Sequence, residues 1–300
     1  MTSKKRSKKQ ILNLTGWGFL LPAMILISCF SLYPMINAFI TSLKTGTGIN
    51  LTFSGLDNYI RAFQDDVFVQ SILNCLYYLI IQVPIMLLLA LVLASALNDP
   101  HLKFKGFFRT CIFLPCATSL VAYAIVFRSL FATDGFINNL LIKLGILDEA
   151  FNFLANPTTA KIVIIIALVW RWTGYNMIFY LAALQNIDSS VYEAAKVDGT
   201  SRSRVFMRIT VPLLSPMIAY VVITGFMGGF KEYSSIVGIF GEDMGPANDP
   251  GRLNTMVGFI YDSLPADQQG VASAAALILF GIILIITLIN LQVSKKKVHY

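Results

Sequence analysis

Apolar residues in this chain occur in long, nearly unbroken runs separated by polar connections. Six runs reach the roughly 20 residues that a helix needs to cross a bilayer. Lipid offers the backbone no hydrogen-bond partners, and the runs lack the alternation of a barrel strand, so each run is predicted to be a helix. The pattern therefore predicts an all-α membrane protein with six transmembrane helices, at residues 16–43, 72–97, 110–131, 162–185, 209–230 and 271–292.

The polar connections differ in charge on the two sides of the predicted membrane. Lys and Arg concentrate in residues 1–15, 98–109, 186–208 and 293–300, whereas the other connections are longer and richer in Asp, Glu, Gly and Asn. Short connections rich in Lys and Arg remain on the cytoplasmic side. Both termini are therefore predicted to be cytoplasmic (N-in/C-in). On the outer side, residues 55–63 have the pattern of a short interfacial helix.

Composition agrees with a membrane protein. The chain has 300 residues, of which 56% are hydrophobic and 13% charged, and this excludes an ordinary water-soluble domain. Its formal net charge of +7 lies in segments that flank the spans, so the basic residues are predicted to meet membrane lipid and no nucleic acid. The first apolar run is too long for a signal peptide and is interpreted as a retained span. We predict one membrane domain, residues 16–292, between basic tails at residues 1–15 and 293–300.

Residues 186–208, which we call the elbow, form the longest charged connection between two spans. Ser190 and Glu193 have the spacing of a capping box, in which the two residues satisfy free N–H groups at a helix start. The residues that follow favour helix, and Gly199 then allows the backbone to turn. A short helix on the cytoplasmic surface is therefore predicted, ending at a glycine turn.

A second short helix is predicted after this turn. Thr200 and Ser201 are placed to cap it. Pro212 falls near the start of the fifth span, where its missing N–H is tolerated. The second helix carries the basic residues Arg202, Arg204 and Arg208.

Polar and aromatic side chains near the middle of the fourth span are candidates for a substrate path. An unpaired arginine there is costly and marks a functional site or a buried pair. Aromatic faces beside amide and guanidinium donors suit a carbohydrate. The alternative interpretation is that the tryptophans anchor the membrane interface and Arg171 pairs within the bundle. The predicted path consists of Trp170, Arg171, Trp172, Tyr175, Asn176, Asn74, Tyr78 and Tyr123, and the further candidates are Tyr77, Gln82, Lys231, Glu232 and Tyr233.

The sequence contains no pattern that points to catalysis. It lacks a nucleophile elbow and a phosphate-binding Gly-x-x-x-x-Gly-Lys-Ser/Thr loop. His101 and His299 are isolated from other metal-ligating residues, and the four cysteines lie in or beside apolar runs. Gly225 and Gly229 have the spacing of a helix-packing motif. We therefore predict no catalytic residue, no metal site and no cofactor bound by this chain, so any ATP must be bound by another subunit.

The elbow carries a recognisable spacing of residues. Glu193, Ala194 and Ala195 are followed by Gly199, then by Ile209 and Pro212. This spacing resembles the EAA loop in the permease subunits of binding-protein-dependent ATP-binding-cassette importers. Residues 109–115 and 181–201 are similar to the carbohydrate branch of that family, the disaccharide and oligosaccharide permeases of the maltose type. The resemblance extends over residues 16–292, with Val211 where the family prefers Leu.

The resemblance implies a type I importer permease fold with a cytoplasmic coupling helix, in a bacterial plasma membrane. It implies a homologous second permease subunit, forming a heterodimer, two ATP-binding subunits that use ATP and Mg, and an extracytoplasmic solute-binding protein. The chain would be the permease subunit of a sugar importer and form half of the translocation path. The residues that match the motif for coupling to the ATPase are Glu193, Ala194, Ala195, Asp198 and Gly199.

Three other functions remain open at this point, and one of them is a membrane protein of assembly or signalling that carries no solute. The same fold could import another solute of the glycerol-phosphate or polyamine type, because the elbow is shared more widely than the substrate path. An ion-coupled secondary transporter is the third. Such transporters commonly carry intramembrane carboxylates, and none lies near the centre of the six predicted spans.

Overall fold

The computed structural model describes residues 8–47, 50–246, 249, 251–264 and 268–297. Most of these residues are helical, as the sequence predicts. Parts of the predicted basic tails, including His299, lie outside the described residues. In chain order the elements are α1 (Lys8–Ile27), a π-helical segment (Ser28–Leu32), α2 (Tyr33–Ser42), β1 (Lys44–Thr47), β2 (Asn50–Phe53), α3 (Asp57–Gln64), α4 (Asp66–Asn98), α5 (Lys105–Ala117), α6 (Leu120–Phe131), α7 (Phe136–Lys143), α8 (Pro157–Gln185), α9 (Ser189–Val197), α10 (Arg202–Val205), a second π-helical segment (Phe206–Thr210), α11 (Val211–Leu213), α12 (Ser215–Phe230), α13 (Ser234–Phe240), α14 (Met256–Ser263) and α15 (Gln269–Lys297).

Among the described residues, five helical stretches are long and apolar enough to cross a membrane, and a bent pair of helices provides a sixth. The pair consists of Arg202–Leu213 and Ser215–Phe230, which meet at an angle of 69°. The five are Thr15–Ser42, Asp66–Asn98, Leu120–Lys143, Pro157–Gln185 and Gln269–Ser294.

Helices α4 and α8 form the centre of the bundle. Asp65 caps α4 by accepting a hydrogen bond from the Val67 amide at 2.8 Å, and Asn156 caps α8 in the same way through the Thr158 amide at 2.9 Å. Ala90 and Ala94 of α4 are fully buried against leucine, methionine and tyrosine side chains of α8. Small residues at this contact let the two backbones approach closely, which is a main source of helix association in lipid.

The first span stands apart from this bundle. From Thr15 to Ile40 its side chains are almost all exposed, including Trp17, Phe19 and Phe30. Contact with the rest of the chain begins only at its end, where α2 packs against α15. The first span is therefore available for contact with lipid or with another subunit along most of its length.

The connection after the first span contains a β-hairpin, which the sequence did not predict. Strands β1 and β2 pair antiparallel, with Lys44 opposite Phe53 and Thr47 opposite Asn50. The buried Asn58 amide holds the hairpin base by donating to the carbonyls of Ser42 and Lys44, each at 2.8 Å. The expected helix at residues 55–63 is present as α3.

The prediction that residues 110–131 form one helix is wrong. Helix α5 ends at Ala117, Thr118 and Ser119 are extended, and α6 begins at Leu120 with the Ser119 hydroxyl as its cap. Pro115 contributes no N–H to α5 and so weakens the last turn of that helix. The break falls inside the predicted span, and the stretch long enough to cross a membrane, Leu120–Lys143, begins after it. Helix α5 packs against α8 where Gly174 leaves no room for a Cβ beside the Ile112 carbonyl.

The predicted start of the fifth span also needs correction. Pro212 lies inside a helical stretch that continues from the elbow, not in the first turn of the span. The straight part of the span begins at Ser215, after the bend at the buried Leu214. Pro216 is the proline in its first turn, where no N–H is required.

Candidate functional site

Helix α9 is the first part of the elbow, and its cap differs from the prediction. The Asp188 carboxylate accepts a hydrogen bond from the Ser190 amide at 2.9 Å, so Asp188 is the capping residue and the predicted Ser190–Glu193 capping box is wrong. Hydrogen bonds from the Ser190 amide and hydroxyl hold the pKa of Asp188 below its ordinary value. An acidic residue is preferred here because the free N–H groups of a helix start are partly positive. The Glu193 side chain therefore does not cap α9, and it is exposed.

Gly199 ends α9 in a left-handed conformation, with φ +66°. The amide of Gly199 donates to the Lys196 carbonyl at 3.1 Å, and the next amide, of Thr200, donates to the Ala195 carbonyl at 3.0 Å. This arrangement satisfies the carbonyls at the helix end and requires a positive φ that glycine adopts without strain. The predicted turn is therefore present at the predicted residue.

The predicted coupling residues do not all face the same way. Glu193, Ala194, Asp198 and Gly199 are exposed, whereas Ala195 is only 4% exposed and packs against the chain's own body. Ala194 is therefore the exposed alanine of the two, and Ala195 faces inward. Val197, which the sequence did not single out, is 87% exposed on the same short helix.

The elbow is joined to the fifth span by helix and by one side-chain contact. The Tyr192 hydroxyl lies 3.3 Å from the Thr210 hydroxyl, in the π-helical segment Phe206–Thr210. That segment continues through α11 to the bend at Leu214 and then into α12. Thr200 and Ser201 precede α10 as predicted, but no side-chain hydrogen bond from Ser201 caps it. Movement of α9 can thus reach α12 through the glycine turn and the helical stretch that begins at Arg202, and through the Tyr192–Thr210 contact.

A cavity of about 100 Å³ lies between α4, α8 and α12. Ligand pockets usually have volumes of roughly 300–1,000 Å³, so this chain in this conformation supplies only part of such a pocket. Glu232 is the charged side chain in the wall. The lining residues are Gln82, Met86, Trp172, Tyr175, Asn176, Thr224, Gly225, Gly228, Gly229 and Glu232.

Three of the predicted path residues line this cavity: Trp172, Tyr175 and Asn176. The rings of Trp172 and Tyr175 meet edge to face with centroids 5.9 Å apart. The Asn176 amide donates to the Trp172 carbonyl at 2.9 Å and lies 3.3 Å from the Met86 sulfur. Aromatic surface and an amide oxygen therefore share one face of α8.

Arg171, Tyr123 and Trp170 lie beside the cavity, where they form an aromatic cluster with Phe127. The Arg171 guanidinium carbon is 4.8 Å from the centroid of the Tyr123 ring and 5.7 Å from that of Trp172. Trp170 stacks on Tyr123 at 6.2 Å and meets Phe127 at 5.5 Å. Arg171 forms no ion pair within the part of the chain that the structure describes.

Asn74 and Tyr78 are placed away from the cavity. The Asn74 amide donates to the carbonyls of Arg252 and Asn254, each at 2.9 Å. The Tyr78 hydroxyl donates to the Leu253 carbonyl at 3.3 Å. These side chains therefore fasten the loop between α13 and α14 to α4.

Sequence reasoning missed Met86, Thr224 and Gly228 as cavity residues, and it favoured helix packing over a ligand site for Gly225 and Gly229. Gly229 does pack closely, since a Cβ there would collide with the Leu79 side chain. Gly228, by contrast, has nothing within 4 Å of a Cβ position. A useful signal was available: three glycines within five residues remove side-chain bulk from one face of α12 and leave space in front of α8.

Comparisons with known proteins agree with these features. Residues 63–299 match the family described as the binding-protein-dependent transport system inner membrane component. The lactose transport system permease protein LacF of Rhizobium radiobacter is 46% identical over 256 residues, which cover 85% of this chain and 86% of that protein. The arabinooligosaccharides transport system permease protein AraP of Bacillus subtilis (strain 168) is 33% identical over 284 residues, covering 92% and 87%.

A solved structure has the same fold. A chain of the bacterial alginate ABC transporter in complex with alginate pentasaccharide-bound periplasmic protein superposes with a TM-score of 0.83. It is 23% identical in sequence, and the match covers 96% of each chain. At this identity the likeness establishes the fold and carries no information on the transported solute.

Proposed function

The chain belongs to the family of binding-protein-dependent transport system inner membrane components, and from this we propose that it imports a neutral disaccharide or short oligosaccharide across a bacterial inner membrane. The ATP would be bound and hydrolysed by separate subunits. The single observation that carries this proposal is the elbow: the exposed Glu193 on the short helix α9, a glycine turn at Gly199, and a helical stretch from Arg202 that leads through the bend at Leu214 into the fifth span.

The elbow supplies the mechanical connection. A short exposed helix suits a groove on a partner protein. The face of α9 that contains Glu193, Ala194 and Val197 is exposed, whereas the buried Ala195 holds the helix against the bundle. A displacement of the partner ATPase would therefore pull on α9 and, through the Tyr192–Thr210 contact and the bend at Leu214, change the angle of α12.

The cavity provides the chemistry for a sugar. Trp172 and Tyr175 offer aromatic surface, and Gln82 and Asn176 offer amide groups for hydroxyl hydrogen bonds. The Glu232 carboxylate would repel an anionic solute in a low-dielectric site, which favours a neutral sugar over a glycerol phosphate. The names of the relatives, a lactose permease and an arabinooligosaccharide permease, support the same solute class.

A companion permease subunit would complete the path. The cavity of about 100 Å³ is too small to hold a disaccharide, and much of the first span is exposed along its length. We propose that a homologous second permease, two ATP-binding subunits using ATP and Mg, and an extracytoplasmic solute-binding protein form the assembled importer with this chain.

The coupling proposal is tested with a matched pair of glycines. Gly199 in the elbow and Gly145 after α7 both have positive φ, +66° and +68°, and both have open space around a Cβ position. Alanine at either place carries the same backbone strain, of about 1 kcal/mol. We expect Gly199→Ala to lower ATP-driven lactose uptake relative to ATP hydrolysis in proteoliposomes, and Gly145→Ala to leave that ratio unchanged. Equal ratios in the two variants would contradict coupling through the elbow.

A direct test of the partner uses a crosslink. Cysteine at Ala194, which is exposed, is expected to crosslink to the ATP-binding subunit, whereas cysteine at the buried Ala195 is expected to react poorly. The native cysteines are replaced beforehand. A crosslink to the ATPase from neither position, in an importer that still assembles, would remove the basis for the proposed docking.

A further inference from the structure

Four aromatic rings form a continuous row that begins in the cavity and leaves it. The centroids of Trp172 and Tyr175 are 5.9 Å apart, and those of Tyr175 and Phe179 are 5.0 Å apart. Phe179 in turn contacts Tyr220 of α12, with centroids 5.5 Å apart. Trp172 and Tyr175 line the cavity, whereas Phe179 and Tyr220 lie beyond its wall. This row, which we call the aromatic track, therefore continues past the cavity.

The aromatic track runs towards the cytoplasmic side of the bundle. Helix α8 ends at Gln185, beside the elbow, and Phe179 lies about 10 Å further along its axis than Trp172. Helix α12 runs in the opposite direction, and Tyr220 precedes the cavity residue Thr224 by one turn. Phe179 and Tyr220 therefore lie on the cytoplasmic side of the cavity.

The exposure of these rings distinguishes the aromatic track from an aromatic core. Tyr123 and Phe127 also have their rings in contact, and they are 1% and 4% exposed. Tyr175 and Tyr220, by contrast, are 39% and 48% exposed, and Phe179 is partly exposed. The rings of the track thus hold one another in place while part of their surface stays open. Such surface is available to a ligand.

The two tyrosines of the track favour a sugar over lipid acyl chains as this ligand. Both belong to membrane-spanning helices, and neither hydroxyl forms a hydrogen bond with another described residue. A hydroxyl that faces hydrocarbon has no hydrogen-bond partner, which is costly. A sugar suits both parts of a tyrosine, because its C–H face packs on the ring and its hydroxyl groups bond to the phenol oxygen.

Continuity with the cavity supports the same ligand. Tyr175 belongs to both, since it lines the cavity and contacts Phe179. Asn176, on the same side of α8, adds an amide to the cavity wall. The cavity of about 100 Å³ is smaller than an ordinary ligand pocket. A sugar in transit therefore needs further surface, and the track offers it directly beside the cavity.

We propose that Phe179 and Tyr220 form a second sugar subsite on the cytoplasmic side of the cavity, and that Tyr175 is shared between the two sites. A sugar that leaves the cavity packs one ring face on Tyr175 and then on Phe179 and Tyr220, which lowers the barrier to its release. The subsite rests on the proposed function, because it assumes that the cavity belongs to the solute path.

Leucine substitutions test the ring contacts in the assembled importer, reconstituted with its solute-binding protein. Tyr220→Leu and Phe179→Leu keep an apolar side chain and remove the ring. Each is expected to lower the maximal rate of lactose uptake by about fivefold, the size of one lost aromatic contact. Tyr33→Leu is the matched control, since Tyr33 is an exposed tyrosine of the first span, and it is expected to change uptake by less than about twofold.

A ring-retaining variant separates ring contact from packing. Tyr220→Phe keeps the ring and is expected to transport lactose faster than Tyr220→Leu. Assembly of every variant is measured by size-exclusion chromatography. If both leucine variants assemble and transport at the wild-type rate, or if Tyr220→Phe is as slow as Tyr220→Leu, the subsite is overturned.

Thiol labelling tests the occupant without relying on uptake rates. Tyr220→Cys, with the native cysteines replaced, is labelled in inside-out vesicles by a membrane-impermeant reagent, with and without ATP. The subsite predicts labelling that slows as the lactose concentration rises, because bound sugar covers the position. Val293→Cys, near the end of α15, is expected to be labelled equally with and without sugar. Absence of labelling, which is expected if lipid or the companion subunit covers Tyr220, would overturn the subsite, and so would labelling that sugar leaves unchanged.

The subsite and the proposed function fail in different ways. A wild-type importer that takes up neither lactose nor an arabino-oligosaccharide would overturn the proposed function and the subsite with it. A wild-type importer that takes up sugar, together with leucine variants that transport at the same rate, would overturn the subsite alone.

Discussion

Val197 provides the sharpest test of how the elbow meets its partner. It lies in the last turn of α9, and its side chain is 87% exposed although valine is apolar. The neighbouring Ala195 is buried against the bundle, so α9 cannot turn Val197 inward without releasing that contact. We therefore expect the ATP-binding subunit to cover Val197, and we expect Val197→Ala to weaken that association.

The size of the effect follows from the lost surface. Alanine lacks two carbon atoms of the valine side chain, each worth about 0.8 kcal/mol when buried. The change therefore costs about 1.6 kcal/mol, which is about fifteenfold in dissociation constant. Alanine is the better helix former, so α9 itself is not weakened, and a loss of affinity has to come from the contact.

The assay measures dissociation of the ATP-binding subunit from the permease pair in nanodiscs by biolayer interferometry. Val293→Ala is the matched control, since Val293 is an exposed valine near the end of α15 and away from the elbow. It is expected to change the affinity by less than about twofold. If Val197→Ala leaves the affinity unchanged while the complex assembles normally, the partner meets α9 through another face and the reasoning is wrong.

Two further predictions concern the cavity and the cap of α9. Gly228→Ala has space for its Cβ, so the complex should assemble normally, but the added methyl group fills part of the cavity and should lower sugar uptake. In Gly229→Ala the Cβ collides with the Leu79 side chain, which should lower the thermal stability of the complex. Equal stability and equal uptake in the two variants would contradict this arrangement. Because the pKa of Asp188 is lowered in the folded chain, its capping hydrogen bond should be present at neutral pH and lost in acid, as the pH falls through that lowered pKa. Hydrogen exchange of α9, corrected for intrinsic rates, should therefore lose protection in acid in the wild type but not in Asp188→Asn, and protection independent of pH in both would contradict the assignment of the cap.

The sequence predicted the positions of most spans, because a long apolar run in lipid can satisfy its backbone hydrogen bonds only as a helix. It was insufficient where a run contains a break. Residues 110–131 are predominantly apolar, yet the extended Thr118 and Ser119 divide them. Hydropathy averages over such a break, since it records the side chains and not the backbone conformation.

The candidate site was predictable in its residue types and less so in its geometry. Trp172 and Asn176 are spaced i, i+4 and both line the cavity, as residues on one face of a helix can. Asn74 and Tyr78 have the same polar character, but they bind loop carbonyls from residues far away in the sequence. No local pattern indicates that contact. The capping residue of α9 was missed for a related reason, because Asp188 and Ser190 both suit a helix start and only the backbone geometry selects between them.

Helix α12 connects the elbow to the cavity. Helix α12 begins at the bend that follows the elbow, and its Gly225, Gly228 and Gly229 form one wall of the cavity opposite α8. Any change in the 69° bend moves these glycines relative to Trp172 and Asn176, which are fixed on the long α8 that packs along α4. Since Glu232 follows the end of the same helix, the motion also shifts its carboxylate in the wall of the cavity. A partner that acts only on α9 can therefore alter both the width of the cavity and the position of its charged group.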